Sequence, residues 1–103
     1  MTDAADDFVS RVLAVVDSIP AGRVMTYGDV AAAIGTRAAR AVGAVLARYG
    51  STVAWWRVVR ADGRPAAGHE ARALEHYLDE QTPLTSAGEF PRIALARARF
   101  SPD

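Results

Sequence analysis

The first apolar residues of the chain recur at the spacing of an amphipathic helix. Phe8 is followed at i+4, i+7, i+8 and i+11 by Val12, Val15, Val16 and Ile19. The segment IPAGR comes next, and its Pro20 and Gly22 are residue types that end helices. The pattern therefore predicts a structural first helix that closes near residue 20.

A second, shorter helix is predicted in the segment MTYGDVAAAIG. Thr26 is a residue type that caps helix N-termini, and the apolar residues Val30 and Ile34 are four positions apart. Gly35 follows directly and provides the usual end of a helix. A tight turn at Gly35 then leads into the next segment.

The segment RAARAVGAVLARYG predicts a third helix with two different faces. At about 100° per residue, the apolar face holds Val42, Val45, Leu46 and Tyr49. The opposite face holds Arg37, Arg40, Ala44 and Arg48, flanked by the small residues Ala41 and Gly43. A helix, a short glycine turn and a helix with a basic outer face are typical of a helix-turn-helix. An ordinary helical hairpin with a solvated arginine face fits the pattern equally well.

The segment VAWWRVVRADGRPA has β-prone residues and a turn signal. Apolar and aromatic residues alternate up to Val59, and Asp62-Gly63 is a strong short turn, so we expect a strand that ends in a hairpin. Successive residues on a strand point to opposite faces. At most one of Trp55 and Trp56 should therefore belong to the core.

The last third of the chain predicts one more helix and a final extended segment. EARALEHYLDEQ places Ala71, Leu74 and Leu78 at helical spacing, and FPRIALARARF is the candidate extended segment. The expected fold class is mostly α with a small β element, a winged helix-turn-helix-like single domain over residues 1–103. A chain of 103 residues, half of them apolar, suits one domain that buries about 60 to 70% of its unfolded surface.

Charge is distributed unevenly, although the chain has 12 basic and 12 acidic residues. Residues 20–64 carry seven arginines, while Asp29 and Asp62 are their only acids. The middle of the chain is therefore the candidate surface for a polyanion.

The inventory of reactive groups argues against catalysis. The chain has no cysteine, so it has no thiol nucleophile, thiolate zinc site or disulfide. His69 and His76 are seven residues apart, which does not match zinc-ligand spacing and favours two solvated histidines. We expect no cofactor and no metal. Without a basic leader or a long apolar run, the expected location is cytoplasmic, nucleoid-associated when bound to DNA.

The segments TYGDVAAAIG, RAARAVG and WWRVV, in this order, resemble the alkyltransferase-like proteins. That family is related to the DNA-binding domain of the O6-alkylguanine-DNA alkyltransferases. In the true alkyltransferases the matching segment is Pro-Cys-His-Arg-Val, and its cysteine accepts the alkyl group. Here Trp55 stands at the cysteine position and Trp56 at the histidine. Because an indole is not a nucleophile comparable to a thiolate, the resemblance implies a binder that is not an enzyme.

The resemblance implies roles for individual residues in nucleotide flipping. Arg40 matches the arginine that fills the gap left by the flipped base, and Tyr27 matches the tyrosine that helps rotate the phosphate. The implied DNA-binding residues are Tyr27, Arg37, Ala39, Arg40, Ala41, Gly43 and Arg48. The implied lesion-pocket residues are Tyr27, Trp55, Trp56 and Arg57. Whether Trp56 faces the pocket or the core stays open, and Arg57 is expected to anchor the loop more than read a base.

The resemblance implies a DNA damage sensor with double-stranded DNA containing alkylated guanine as its partner. The chain is expected to dock as a monomer in the minor groove and to mark the lesion for nucleotide excision repair proteins. One departure is that RPAAGHE has no match for the arginine that some relatives place over the flipped base. The alternative is a transcriptional regulator that reads the major groove, although the outward face has no Asn or Gln to contact adenine.

Overall fold

Five α-helices and four short strands form the part of the chain that the computed structural model describes, residues 4–85 and 91–102, with side chains from residue 7 onward. The helices are α1 (Ala4–Asp17), α2 (Tyr27–Ala33), α3 (Ala39–Tyr49), α4 (Glu70–Glu80) and α5 (Leu95–Ala98). The strands are β1 (Met25–Thr26), β2 (Val58–Val59), β3 (Leu84–Thr85) and β4 (Arg92–Ile93). Two 3-10 turns, Gly50–Thr52 and Trp55–Arg57, lie between α3 and β2. The predicted fold class, mostly α with a small β element, is confirmed.

The predicted stripe of the first helix forms the centre of the core. Val12, Val16 and Ile19 are at most 1% exposed, and Phe8 and Val15 pack against the same cluster. The cluster continues into α2, α3 and β2, so α1 supports the helix pair from behind. Neither α1, which has 14 residues, nor any other helix within 4–85 and 91–102 is long and apolar enough to cross a membrane.

The predicted N-cap of the second helix is confirmed by a reciprocal pair of hydrogen bonds. The Asp29 N–H donates to Thr26 Oγ1 at 3.0 Å, and the Thr26 N–H donates to Asp29 Oδ2 at 3.1 Å. Two hydrogen bonds from Arg99 to the same carboxylate, with the N-cap bonds, hold the pKa of Asp29 below its ordinary value. α2 ends before Gly35, whose φ of +81° is a conformation that glycine adopts readily. Both ends of α2 are therefore determined by residues within the helix or directly next to it.

The third helix has the predicted faces with one exception. Val42, Val45 and Leu46 are buried against α1 and α2. Tyr49 was expected on the same apolar face, but it is 40% exposed, so that expectation is wrong. Tyr49 is the last residue of α3, and its ring lies 5.4 Å from the guanidinium of Arg48. The end of α3 therefore presents an arginine and an aromatic ring to solvent.

The strand predicted at Trp55 and Trp56 is wrong. This segment forms a 3-10 turn, closed by the Arg57 N–H donating to the Ala54 carbonyl at 3.0 Å, and only Val58–Val59 is a strand. Successive residues of a 3-10 turn are about 120° apart, whereas those of a strand alternate between two faces. The two indoles consequently meet edge to face, with ring centroids 5.8 Å apart.

The predicted hairpin at Asp62-Gly63 is also wrong, although the turn itself forms. The Gly63 N–H donates to the Arg60 carbonyl at 2.9 Å, but β2 pairs in parallel with β1. Both residues of β2 are fully buried, so this strand lies inside the core. After the turn, the Ile93 N–H donates to the Gly63 carbonyl at 2.9 Å and ties the loop to β4.

The fourth helix forms as predicted but buries a different face. Ala71 and Leu78, which helical spacing grouped on one face with Leu74, are exposed, Leu78 by 63%. Ala73 and Tyr77 are buried instead, while Leu74 is half-buried. The Tyr77 hydroxyl donates to the Trp56 carbonyl at 2.5 Å, so the polar tip of this buried ring has a partner. The face of α4 that packs on the core is therefore the one with Ala73 and Tyr77.

The last predicted extended segment is only partly extended. β4 pairs antiparallel with β3, with Ile93 opposite Leu84, and the single helical turn of α5 follows. Phe90, the first residue of the predicted segment, lies outside the described residues. Val24 and Arg99 form an isolated parallel bridge, which brings the end of the chain next to the start of β1.

Candidate nucleic-acid interface

A cavity of about 430 Å³ opens between the helix pair and the loop that precedes α4. Tyr27 enters it from the first residue of α2, Gly43 from the middle of α3, and Trp55 from the 3-10 turn. The remaining lining residues are Leu46, Ala47, Gly50, Ser51, Ala66, Ala67, His69 and Arg72. Most of these side chains are small or aromatic, so the walls suit a flat, partly apolar group.

Gly43 leaves open the side of the cavity that Tyr27 forms. A Cβ atom at position 43 would lie 3.8 Å from the nearest carbon of the Tyr27 ring, which is ordinary van der Waals contact.

Burial raises the pKa of Tyr27 above its ordinary value, with the positive charge of Arg60 opposing the effect. The hydroxyl therefore stays protonated near neutral pH and is available as a hydrogen-bond donor at this wall.

Basic groups accompany the aromatic wall. The guanidinium carbon of Arg72 lies 5.8 Å from the centroid of the Trp55 ring, and the His69 ring lies 5.6 Å from it. None of the residues that line the cavity carries a carboxylate. Such a site favours a π-rich or negatively charged ligand.

Exposed arginines lie on the outer face of α3 and just before this helix. Arg37, Arg40 and Arg48 are exposed, and among the described residues none of them forms a salt bridge. Ala39 and Ala41, on either side of Arg40, are half-buried and small. The face therefore combines unpaired positive charge with little bulk, which permits close approach of a phosphate backbone.

Residues 7–82 match the family described as "6-O-methylguanine DNA methyltransferase, DNA binding domain". The matched range includes α2, α3, the tryptophan pair and α4. The chain belongs to this family. The resemblance to alkyltransferase-like proteins, first indicated by three short segments, is thereby confirmed.

Curated relatives of this family member are named DNA base-flipping proteins. The one from Escherichia coli (strain K12) is 54% identical over 61 residues, which cover 56% of this chain and 47% of that protein. The one from Vibrio parahaemolyticus is 31% identical over 101 residues, 94% of this chain and 99% of that protein. The chain thus spans about half the length of the E. coli relative and almost the whole length of the Vibrio relative.

Solved structures from S. pombe have the same fold as this alkyltransferase-like chain. Atl1 in complex with damaged DNA containing O6-carboxymethylguanine is 28% identical and has a TM-score of 0.81, covering 99% of this chain and 100% of that one. A second structure, ATL in complex with DNA, has a TM-score of 0.79 at 28% identity. The fold similarity therefore extends over nearly the whole chain.

The residues predicted for the lesion pocket of this alkyltransferase-like chain do not all lie at the cavity. Tyr27, Gly43 and Trp55 meet at the cavity. Trp56 and Arg57, which the resemblance grouped with the lesion pocket, do not line it and face α4 instead. The 3-10 geometry is the reason, since it turns consecutive side chains to different sides.

The histidines also differ from their predicted environment. Both were expected to be solvated, and His69 is indeed exposed at the cavity. His76 is half-buried and lies flat against Trp56, with ring centroids 3.6 Å apart and an interplanar angle of 5°. His76 is therefore part of the support behind the tryptophan pair.

Arg72 is the cavity residue that the sequence reasoning missed most clearly. It is the only basic side chain besides His76 in a helix that carries Glu70, Glu75, Asp79 and Glu80. That isolated positive charge is the signal that could have identified it. The small residues Ala66 and Ala67 gave no comparable signal, because only the path of the loop brings them to the cavity.

Proposed function

We propose that this chain is a non-enzymatic sensor that binds O6-alkylguanine in duplex DNA by flipping the damaged nucleotide into the cavity. The observation that carries the proposal is that Trp55 forms an aromatic wall of the cavity. The resemblance assigns this residue to the position of the alkyl-acceptor cysteine. An indole stacks on a base but does not accept an alkyl group. The names of the relatives, a base-flipping protein and Atl1 with alkylated DNA, support the same ligand.

In this binding mode, the free energy gained by stacking can offset the cost of extruding the base, so no covalent step is needed. Extrusion of a base costs a few kcal/mol and least for a damaged base, whose pairing is already weakened. Stacking on an aromatic side chain returns roughly 1 to 3 kcal/mol. A cavity of about 430 Å³ lies within the size range of pockets for small ligands. Selectivity for the lesion then comes from the cheaper extrusion and from the fit of the alkyl group.

Arg72 is the candidate for the arginine that some relatives place over the flipped base. It comes from α4 and not from RPAAGHE, the segment in which the match was sought. Its guanidinium carbon lies over the Trp55 ring, 5.8 Å from the centroid, so it stands close to the place where a base stacked on Trp55 would lie. This role adds affinity for any flipped purine, while the alkyl group decides the ease of flipping.

The basic face of α3 is proposed to dock in the minor groove. Arg40 would enter the duplex and occupy the space of the extruded nucleotide, while Arg37 and Arg48 contact phosphates. Ala39, Ala41 and Gly43 permit the helix to approach closely. The arginines are exposed and free of salt bridges within the described residues, which supports this assignment.

A sensor that does not repair the lesion has to pass it to other proteins. We therefore propose nucleotide excision repair proteins as partners, with the chain acting as a monomer in the cytoplasm and on the nucleoid. Retention of the lesion, without turnover, makes the bound complex a persistent mark on the DNA. That persistence supports a signalling role.

The decisive experiment compares duplexes of one sequence with O6-methylguanine or guanine at the centre. We expect tighter binding to the lesion, and equal affinity for both duplexes would exclude the proposed function. The affinity should fall with salt, with a log–log slope of about −0.9 for each phosphate neutralised. Selection from random undamaged duplexes checks the alternative, since a defined operator sequence would favour a transcriptional regulator.

Incubation with alkylated DNA should leave the mass of the protein unchanged. Without a cysteine in the chain and with Trp55 at the acceptor position, no side chain at the cavity resembles a thiolate. Intact-protein mass spectrometry after prolonged incubation measures this directly. A stable mass increase equal to one methyl group would contradict the non-enzymatic assignment.

A further inference from the structure

The carboxylate of Glu80 collects hydrogen bonds from two loops behind Trp55. Glu80 Oε1 accepts a hydrogen bond from Trp56 Nε1 at 3.0 Å. The same carboxylate accepts hydrogen bonds from Arg57 Nε at 3.2 Å and from Arg57 Nη2 at 2.5 Å. The Gly22 N–H donates to Glu80 Oε2 at 3.0 Å. One side chain at the end of α4 thus joins the turn after α1 to the 3-10 turn that carries the tryptophans.

The Glu80 network is sheltered from solvent, so its members depend on one another. The side chains of Arg57 and Glu80 are 19% and 10% exposed, and Arg57 Nη1 also donates to the Ile19 carbonyl at 3.0 Å. Burial raises the pKa of Glu80, but the hydrogen bonds from Arg57, Gly22 and Trp56 outweigh it and leave the pKa below its ordinary value. The carboxylate is therefore ionised at neutral pH. Its removal would leave sheltered donors without an acceptor.

The network reaches Trp55 through aromatic contacts. Trp56, held by Glu80, stacks on His76 with ring centroids 3.6 Å apart, and the Trp55 ring stands nearly perpendicular to Trp56 with centroids 5.8 Å apart. The Trp55 ring also meets the His76 ring at 6.0 Å with an interplanar angle of 83°. A change in the orientation of Trp56 would therefore alter the cavity wall, although neither Trp56 nor Glu80 lines the cavity.

We propose that Glu80 is a positioning residue for lesion recognition, because it holds Trp56 and Arg57 so that the Trp55 ring forms the cavity wall. This inference rests on the proposed function and adds to it a residue that does not touch the flipped base. Docking through the α3 arginines does not involve Glu80. Its removal should therefore affect binding of the lesion and not binding of undamaged duplex.

The test is the ratio of affinities for O6-methylguanine and undamaged duplexes, measured for the wild-type chain and Glu80→Gln. Glutamine keeps the size of the side chain but loses the charge, and its amide nitrogen faces a donor. We expect the ratio to fall by about tenfold, within the range expected when a base loses its stack on an aromatic wall, with the affinity for undamaged duplex unchanged. A purely structural role would lower both affinities together through the folded fraction.

Asp79→Asn is the matched control, since it removes the same charge one position earlier on the exposed side of α4. It should leave the ratio unchanged. If Glu80→Gln does not fold, as judged by circular dichroism and thermal unfolding, Trp56→Phe decides, because it removes the ring N–H that Glu80 binds and keeps an aromatic ring to stack on His76. A folded Glu80→Gln with the wild-type ratio, or in its place a Trp56→Phe with that ratio, overturns the proposal.

The two hypotheses fail in different ways. If the wild-type chain binds both duplexes equally, the proposed function is wrong and Glu80 has nothing to position. If the wild-type chain prefers the lesion and Glu80→Gln keeps the same preference, only the positioning role is wrong.

Discussion

Replacement of Arg40 by alanine is expected to lower the affinity for O6-methylguanine duplexes by about 10-fold to 100-fold. In the proposed binding mode, the Arg40 side chain supplies a positive charge and fills the space left by the extruded nucleotide. Loss of a contact to a charged group costs about 1.5 to 3 kcal/mol. Arg40 is exposed and, within residues 4–85 and 91–102, without a salt bridge, so the fold should not suffer. Equilibrium titration of both duplexes measures the effect.

Arg37→Ala is the control that distinguishes the proposed insertion of Arg40 into the duplex from a general phosphate contact. Arg37 is also exposed and precedes α3, so its loss should weaken binding to damaged and undamaged duplexes by the same factor and reduce the salt slope by about 1. Arg40→Ala should instead act mainly on the lesion. If Arg40→Ala lowers both affinities equally, as Arg37→Ala is expected to do, Arg40 only contacts a phosphate and another residue fills the space of the extruded nucleotide.

Replacement of Trp55 by alanine is expected to remove most of the preference for the lesion. Alanine offers no π-face, and the loss of base stacking costs roughly 1 to 3 kcal/mol, or about 5-fold to 100-fold in affinity. The cation–π contact between Arg72 and the same ring disappears as well. Binding of undamaged duplex should change little, because the α3 face remains intact.

Trp55→Phe is the control for this prediction, since it keeps an aromatic face at the wall and reduces only its area. We expect it to retain part of the preference. If Trp55→Ala is folded and prefers the lesion as strongly as the wild-type chain, the flipped base does not stack on this residue and the cavity is not the lesion pocket.

The first three helices could be predicted because their signals are local. The capping pair of Thr26 and Asp29 and the glycine after α2 lie within a few residues of the helix they define. The partner of β2 could not be predicted, since two-residue strands carry almost no periodicity and β1 is remote in sequence. The face of α4 was mispredicted because the hydrogen bond of Tyr77 to a distant loop, and not hydropathy, decides what is buried.

The candidate site shows the same division between local and distant information. The position of Trp55 at the cavity followed from the order of the motifs, and the outward direction of Arg40 followed from helical geometry. The contacts of Arg72 and Glu80 with the tryptophan turn could not be predicted, because that turn lies some twenty residues earlier in the chain. A helix with four carboxylates and one arginine is typical of a solvated surface, and only tertiary structure distinguishes its inward members.

Both tryptophans of the chain belong to one edge-to-face pair, and the chain has no third. The intrinsic fluorescence of the protein therefore originates almost entirely from this one place, next to a cavity that a flipped base would fill. Stacking of a base on an indole quenches its emission, whereas docking of α3 on undamaged duplex leaves the pair untouched. The tryptophan emission is therefore expected to report the proposed nucleotide flipping separately from DNA association, without any added label.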